Sequence, residues 1–198
     1  MSTRELFEYD SSLDFALIAG IDEAGRGPLA GPVVCASCIM PLDDMIDGIN
    51  DSKKIGEKKR EQLYEVIVKT ALDYATAIIG CDEIDEINIL NATKKGMAEC
   101  VSKLKLSPGI VLVDAVEIPG DFCKKAIIKG DATSYNIAAA SIVAKVTRDR
   151  IMRDYDKAYP EYGFARNKGY GTKEHIEAIK KYGLCPIHRK SFVKNFLI

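Results

Sequence analysis

Apolar residues in this chain gather in short runs, set apart by polar and glycine-containing stretches. Runs at 17–21, 33–40, 75–81 and 110–113 have strand length and little polar alternation, the pattern of strands buried on both faces. Residues 126–128 form a shorter strand candidate. Between the second and third runs, Leu63, Val66, Ile67 and the pair Thr70 and Ala71 follow i, i+3, i+4, i+7 spacing, which predicts an amphipathic helix. Met97, Cys100, Val101 and Leu104 predict another, ended by Ser107-Pro108-Gly109. The longest predicted helix covers 134–159. It begins with the small residues Ala138, Ala139, Ala140, Ser141 and Ala144, which let a helix lie close to another backbone. Thr172 caps a later helix carrying Ile176, Ile179 and Tyr182, closed by Gly183 and Pro186. Strands alternating with helices predict an α/β domain, and the polar loop 160–171 sets off a C-terminal helical part.

At 198 residues and 47% hydrophobic content the chain can bury a core without disulfide or metal staples, which excludes disordered and fibrous classes. No apolar stretch approaches the roughly 20 residues of a membrane helix, and the start MSTRELFEYD is polar. The expectation is a soluble, cytoplasmic protein with no membrane partner. Its six cysteines are then reduced thiols. Cys35 and Cys38 form a CxxC inside a strand, where residues three apart face opposite ways; with only His175 and His188 beside them, a zinc site is not expected. The formal charge of −1 hides an asymmetry. Residues 1–123 carry 12 Lys+Arg against 22 Asp+Glu, and residues 124–198 carry 16 against 7. A basic block of this kind faces a polyanion or is a solvated helical surface, and charge alone leaves both open.

Asp22 and Glu23 directly follow the first apolar run, and Asp114 ends the fourth. If those strands are parallel neighbours, their carboxylates meet beyond the strand ends, where α/β proteins bind ligands. Asp131 stands in Lys129-Gly130-Asp131, just before the long helix. Carboxylates converging in a partly dry site take up protons or bind a divalent cation, and oxygen-only ligation suits Mg²⁺ or Mn²⁺. Two such ions about 3.5–4 Å apart can act on both sides of a phosphodiester. On spacing alone, turn and cap roles for these carboxylates stay open. The loop Gly25-Arg26-Gly27-Pro28-Leu29-Ala30-Gly31-Pro32 is stiffened by two prolines and opened by three glycines, so its backbone can approach a ligand or simply turn between strands. It is neither a Walker loop nor a dinucleotide fingerprint.

Taken together, these segments resemble the ribonuclease HII (type 2 ribonuclease H) family. The likeness is carried by IDEAGRGPLAGPV at 21–33, DSKK at 51–54, VDA at 113–115, KGDATSYNIAAASIVAKVTRDR at 129–150, NKGYGTKEH at 167–175 and PIHRKSF at 186–192, and spans about residues 17–192. The resemblance implies a ribonuclease H-like mixed sheet flanked by helices, with a catalytic core over 1–160 and a C-terminal helical, substrate-contacting region over 161–198. It implies an endonuclease that cuts the RNA strand of RNA/DNA hybrids and incises 5′ to single ribonucleotides in duplex DNA, leaving 3′-hydroxyl and 5′-phosphate ends. Asp22, Glu23, Asp114 and Asp131 match the family's metal-binding carboxylates, which take Mg²⁺ or Mn²⁺, two ions during catalysis. Gly25, Arg26 and Gly27 match the element that reads the 2′-hydroxyl, the group separating RNA from DNA. Tyr170 matches the tyrosine that packs on the following sugar. Ser52, Lys53 and Lys54, with Lys145 and Arg148, resemble phosphate-contacting residues.

A monomer is expected, because a duplex must lie across an open face. His175 and His188 are expected to pack or cap, and Tyr135, Tyr155, Tyr159 and Tyr162 to serve as core or surface aromatics. Val193, Phe196 and Leu197 have a spacing faintly like a sliding-clamp-binding peptide, without its opening glutamine, and a packed terminal helix is the favoured reading. The alternatives are a ribonuclease HIII-like nuclease restricted to continuous hybrids, a non-catalytic hybrid-binding module, and a metal-dependent phosphatase of small molecules. The intact Gly-Arg-Gly and the short stretch before the first strand favour the HII reading over HIII.

Overall fold

The computed structural model describes residues 1–194. Five strands, β1 (Ile18–Ala24), β2 (Val33–Ile39), β3 (Asp73–Ile79), β4 (Ile110–Asp114) and β5 (Lys124–Ile127), form one mixed sheet in the order β3-β2-β1-β4-β5. β1 pairs antiparallel with β2 and parallel with β4; β2 pairs antiparallel with β3 and β4 parallel with β5. Helices α1 (Thr3–Ser11), α2 (Glu57–Thr70), α3 (Cys81–Ile87), α4 (Ile89–Lys103), α5 (Tyr135–Ala158), α6 (Phe164–Asn167), α7 (Lys173–Tyr182) and α8 (Lys190–Val193) surround it.

Alternation along the strands assigns the two faces. Ala19, Ile21, Cys35, Val111 and Val113 pack with Met97 and Cys100 of α4 on one side. Cys38, Ala36 and Ala24 pack on the other with Leu63 and Ile67 of α2 and the alanines of α5. Cys35 and Cys38 thus lie in opposite cores, as strand geometry requires. The small-residue run of α5 does bring backbones together: a Cβ added at Gly20 of β1 would lie 2.1 Å from the Asn136 carbonyl carbon and 2.2 Å from the Ile137 nitrogen.

Asp10 at the end of α1 locks this contact. Its buried carboxylate accepts from the Ser134 hydroxyl (3.0 Å) and from the Asn136 backbone and side-chain N–H (both 2.8 Å), and Asn136 Oδ1 in turn accepts from the Met40 N–H (2.7 Å).

Several boundaries differ from the sequence reading. β1 continues through Asp22 and Glu23 to Ala24, because its ladder with β2 persists (Asp22↔Ala36, Glu23↔Cys35) after pairing with β4 stops at Ile21↔Val113. β5 starts at Lys124, and Ile128 lies outside it, 83% exposed. Val66 and Tyr182, predicted on buried helix faces, are exposed. α1 and α3 had no periodic signal; α1 is nucleated by a Ser2/Glu5 capping box rather than by a wide apolar stripe. Val193 is fully buried against Leu29, Met152 and Tyr162, while Phe196 and Leu197 lie outside the described residues. Among the described residues no helix is long and apolar enough to cross a membrane.

Gly20→Ala should push α5 off β1 and lower unfolding stability by about 3 kcal/mol, the upper range for overpacking. Urea denaturation reads this as a lower midpoint; an unchanged midpoint would contradict the backbone contact.

Candidate active site

Parallel pairing of β1 with β4 sets Ile21 opposite Val113, so the next residues of the two strands, Asp22 and Asp114, are neighbours at the strand ends. Both alternate onto the face covered by α5. Asp131 arrives from the turn Gly130–Ala132 that leads into α5, and Asp114 Oδ1 accepts from the Gly130 N–H at 2.6 Å, tying turn to strand. Gly130 is needed for this closeness: a Cβ there would meet Ile137 Cδ1 at 2.6 Å and the Asp114 Cα at 3.2 Å. Glu23 follows on β1 with its Oε1 3.6 Å from Arg26, and Asp22 Oδ1 accepts from the Glu23 N–H at 2.7 Å. A short 3₁₀ turn, Ser52–Lys54, capped by Asp51, brings Lys53 Nζ to 3.3 Å from Asp131.

Burial, with repulsion between the carboxylates added to it, governs this cluster. Burial drives the Asp22 carboxyl well above its ordinary range, and Glu23, Asp114 and Asp131 push it further. Burial also raises Glu23, with Asp114 adding to it and Arg26 opposing. Asp131 is raised by burial and by Asp51, against Lys53. Burial works against the Lys53 ammonium, but Asp131 and Asp22 outweigh it and hold the amine above its usual value.

The donor set is all oxygen, and Glu23 Oε2 is buried without a hydrogen-bond partner. Hard divalent cations suit such a set. Among the described residues no group of three His, Cys, Asp or Glu side chains is placed to hold a metal ion as it stands; Lys53 and Arg26 are the partial counter-charges of the acidic centre.

The loop 25–32 joins β1 to β2 beside this centre, with positive φ at Gly25 (98°) and Gly31 (85°). Gly27 faces Tyr170: a Cβ there would lie 3.7 Å from the ring, and the tyrosine is 46% exposed. Ser52 is buried and its N–H donates to the Ser141 hydroxyl (3.3 Å); Lys54 is exposed, 3.9 Å from Asp51. Lys145 is paired with Asp149 at 2.6 Å.

Arg148 departs from its expected phosphate contact. It is 1% exposed and donates to the carbonyls of Pro32 (3.0 Å), Lys168 (2.9 Å) and Ala30 (3.1 Å), so it shapes the loop from behind. Part of the basic block is likewise spent internally: Arg150 and Arg153 pair with Glu57, Glu61 and Glu65 of α2. His175 and His188 are buried beside Tyr162 and Phe164. The sequence reading missed Arg189, whose side chain donates to three loop carbonyls, and Asp10, whose partners lie 124 and 126 residues away. Only the position of Arg189 inside PIHRKSF could have pointed to it.

A buried carboxyl whose proton affinity is raised stabilises the fold at low pH and loses that contribution as pH rises through its folded value. In chelator at pH 7, Asp22→Asn should therefore melt above the wild type, by about 2–4 °C for each kcal/mol of relieved repulsion, and the gain should vanish near pH 4. A lower melting temperature at pH 7 would contradict the repulsive cluster.

The ribonuclease HII family model matches residues 19–195. A ribonuclease HII of Acetivibrio thermocellus is 60% identical over 185 residues, covering 93% of this chain and 72% of that protein. Among solved structures, the ribonuclease H2 from Pyrococcus horikoshii OT3 is similar with a TM-score of 0.78 at 27% identity, covering 91% of this chain and 97% of that one. A chain from the PCNA:RNase HII complex of Archaeoglobus fulgidus gives 0.74 at 27%, covering 88% and 94%. Since the family match takes in the sheet, the acidic centre and the C-terminal helices alike, the chain belongs to the ribonuclease HII family of hydrolytic nucleases.

Proposed function

We propose that this nuclease hydrolyses the RNA strand of RNA/DNA hybrids and incises duplex DNA on the 5′ side of a single embedded ribonucleotide, leaving 3′-hydroxyl and 5′-phosphate ends. The observation that carries this reading is the acidic centre of Asp22, Glu23, Asp114 and Asp131 standing beside a glycine loop with an exposed tyrosine against it.

These four carboxylates would hold two divalent ions, Mg²⁺ or Mn²⁺. When bound, the ions supply positive charge that favours attack of water on phosphorus and departure of the 3′-oxygen. The chain's own groups do the rest. Exposed Arg26 and Gly27 offer backbone donors to the 2′-hydroxyl, and the Tyr170 ring packs on the next sugar. Lys53 and Lys54 on the Ser52–Lys54 turn meet the phosphate backbone, with Lys53 exchanging Asp131 for a phosphate oxygen. No side-chain nucleophile is required, because water supplies the hydroxyl that ends on the 5′-phosphate and the leaving oxygen takes a proton. The C-terminal helices add cations to the duplex-facing side, so binding should weaken steeply with salt. A sliding clamp is a candidate partner on the ground of the Archaeoglobus complex; Val193, the first residue of the clamp-like spacing, is buried in this chain's own core.

An end-labelled DNA duplex holding one ribonucleotide tests this directly. One cut on its 5′ side, dependent on Mg²⁺ or Mn²⁺ and slowed about 10²-fold or more in Asp22→Asn and Asp114→Asn, is the expected result; that is the scale of losing one electrostatic stabiliser of a transition state. Cutting of continuous hybrid alone would shift the reading to HIII-like specificity.

A further inference from the structure

The loop 25–32 is gripped from both flanks. On one, the N–H groups of Leu29 and Ala30 donate to the Gly169 carbonyl (2.8 and 3.3 Å). Gly169 has φ +82°, and a Cβ there would stand 2.3 Å from the Ala30 oxygen. On the other flank the Gly31 N–H donates to Ile187 O (2.9 Å) and the Arg189 N–H to Leu29 O (2.8 Å), pairing Ala30 with His188 as a single antiparallel bridge.

The Arg189 side chain, fully buried, then reaches behind the loop. Nε donates to Gly31 O (2.9 Å), Nη1 to Arg26 O (2.9 Å) and Nη2 to Gly25 O (2.6 Å). A buried cation whose hydrogen bonds all go to carbonyls, with the Phe192 ring centre 5.2 Å from its guanidinium carbon, is costly to keep, which asks for a reason. Peptide geometry supplies one. In a trans peptide C=O of one residue and N–H of the next point opposite ways. Drawing the Gly25 and Arg26 carbonyls toward Arg189 therefore turns the N–H groups of Arg26 and Gly27 outward, at the two loop residues that are exposed.

The neighbouring residue fixes Tyr170. His175 Nδ1 is 2.9 Å from the Tyr170 carbonyl, which can only accept, so Nδ1 carries the proton and Nε2 is bare. His188 Nε2 lies 3.1 Å from it and must donate, leaving His188 Nδ1 to accept from the Cys185 N–H at 2.9 Å. One pair of neutral tautomers thus links Cys185 through both rings to Tyr170. The segment is itself anchored, since Asp85 accepts from the N–H groups of Lys190 (2.7 Å) and Ser191 (3.0 Å).

We propose that Arg189 and the His188–His175 pair are positioning residues for ribonucleotide recognition, with adjacent residues 188 and 189 setting both the outward N–H groups of the loop and the Tyr170 backbone. This rests on the reading of that loop and tyrosine as the ribonucleotide reader. Lysine, a compact point charge, cannot span three carbonyls in a fixed fork, and phenylalanine at 175 keeps the ring but breaks the relay.

The test is the ratio of dissociation constants for an all-deoxy duplex and the same duplex with one ribonucleotide, read by fluorescence anisotropy in Ca²⁺, for wild type, Arg189→Lys and His175→Phe. Cooperative thermal melting checks that each variant is folded. The expected result is a wild-type ratio well above one that falls about ten-fold or more in each variant, the cost of slightly misplaced recognition groups. Folded variants that bind both duplexes more weakly but keep the wild-type ratio would reduce these residues to scaffolding and overturn the proposal. Should Arg189→Lys fail to fold, the ratio in His175→Phe decides. A wild-type ratio of one would instead defeat the recognition reading itself, and this inference with it.

Discussion

The contact of α5 with β1 at Gly20, backbone against backbone, is the constraint on which both halves of the site depend. A side chain at position 20 would hold the helix off the sheet, and with it the turn that delivers Asp131 to Asp22 and Asp114. The same 24-residue helix, about 36 Å long, carries Arg148, just past its middle, behind the glycine loop. One rigid rod therefore registers the acidic centre against the loop beside it. Asp10 secures the near end of that rod, accepting from the groups of Ser134 and Asn136 that would otherwise be orphaned at a helix start.

Against this scaffold stands a cluster that works against folding. Buried Asp22 and Asp131, with Glu23 beside them, are held where neither water nor the Lys53 ammonium and Arg26 guanidinium fully compensate their charge. Such strain is tolerated at functional sites because the surrounding packing over-determines the geometry. Here that packing is the alanine-rich core of α5 on one face and the α4 core on the other.

The sheet was legible in the sequence because its inner strands are uninterrupted apolar runs, and two of them end in carboxylates. Parallel adjacency of those two runs is enough to bring Asp22 and Asp114 together. The alanine run announced close helix packing, although not its partner Gly20. What stayed hidden concerns long polar side chains. A sequence does not distinguish an arginine that reaches a phosphate from one buried on carbonyls, which is why Arg148 was assigned outward and Arg189 went unnoticed. For the same reason the charge asymmetry overstated the basic surface, since α2 neutralises Arg150 and Arg153. The cap from Asp10 to α5 spans most of the chain, and α1 shows little periodicity of its own, so local pattern could not find either.

Asp22, Glu23, Asp114 and Asp131 are proposed to form one cation-binding centre. Anomalous diffraction from crystals soaked in Mn²⁺ tests it most directly. Manganese peaks bounded by these four carboxylates, with the Lys53 amine moved off Asp131, are expected. An enzyme that cuts in Mn²⁺ yet shows manganese only away from these residues would contradict it.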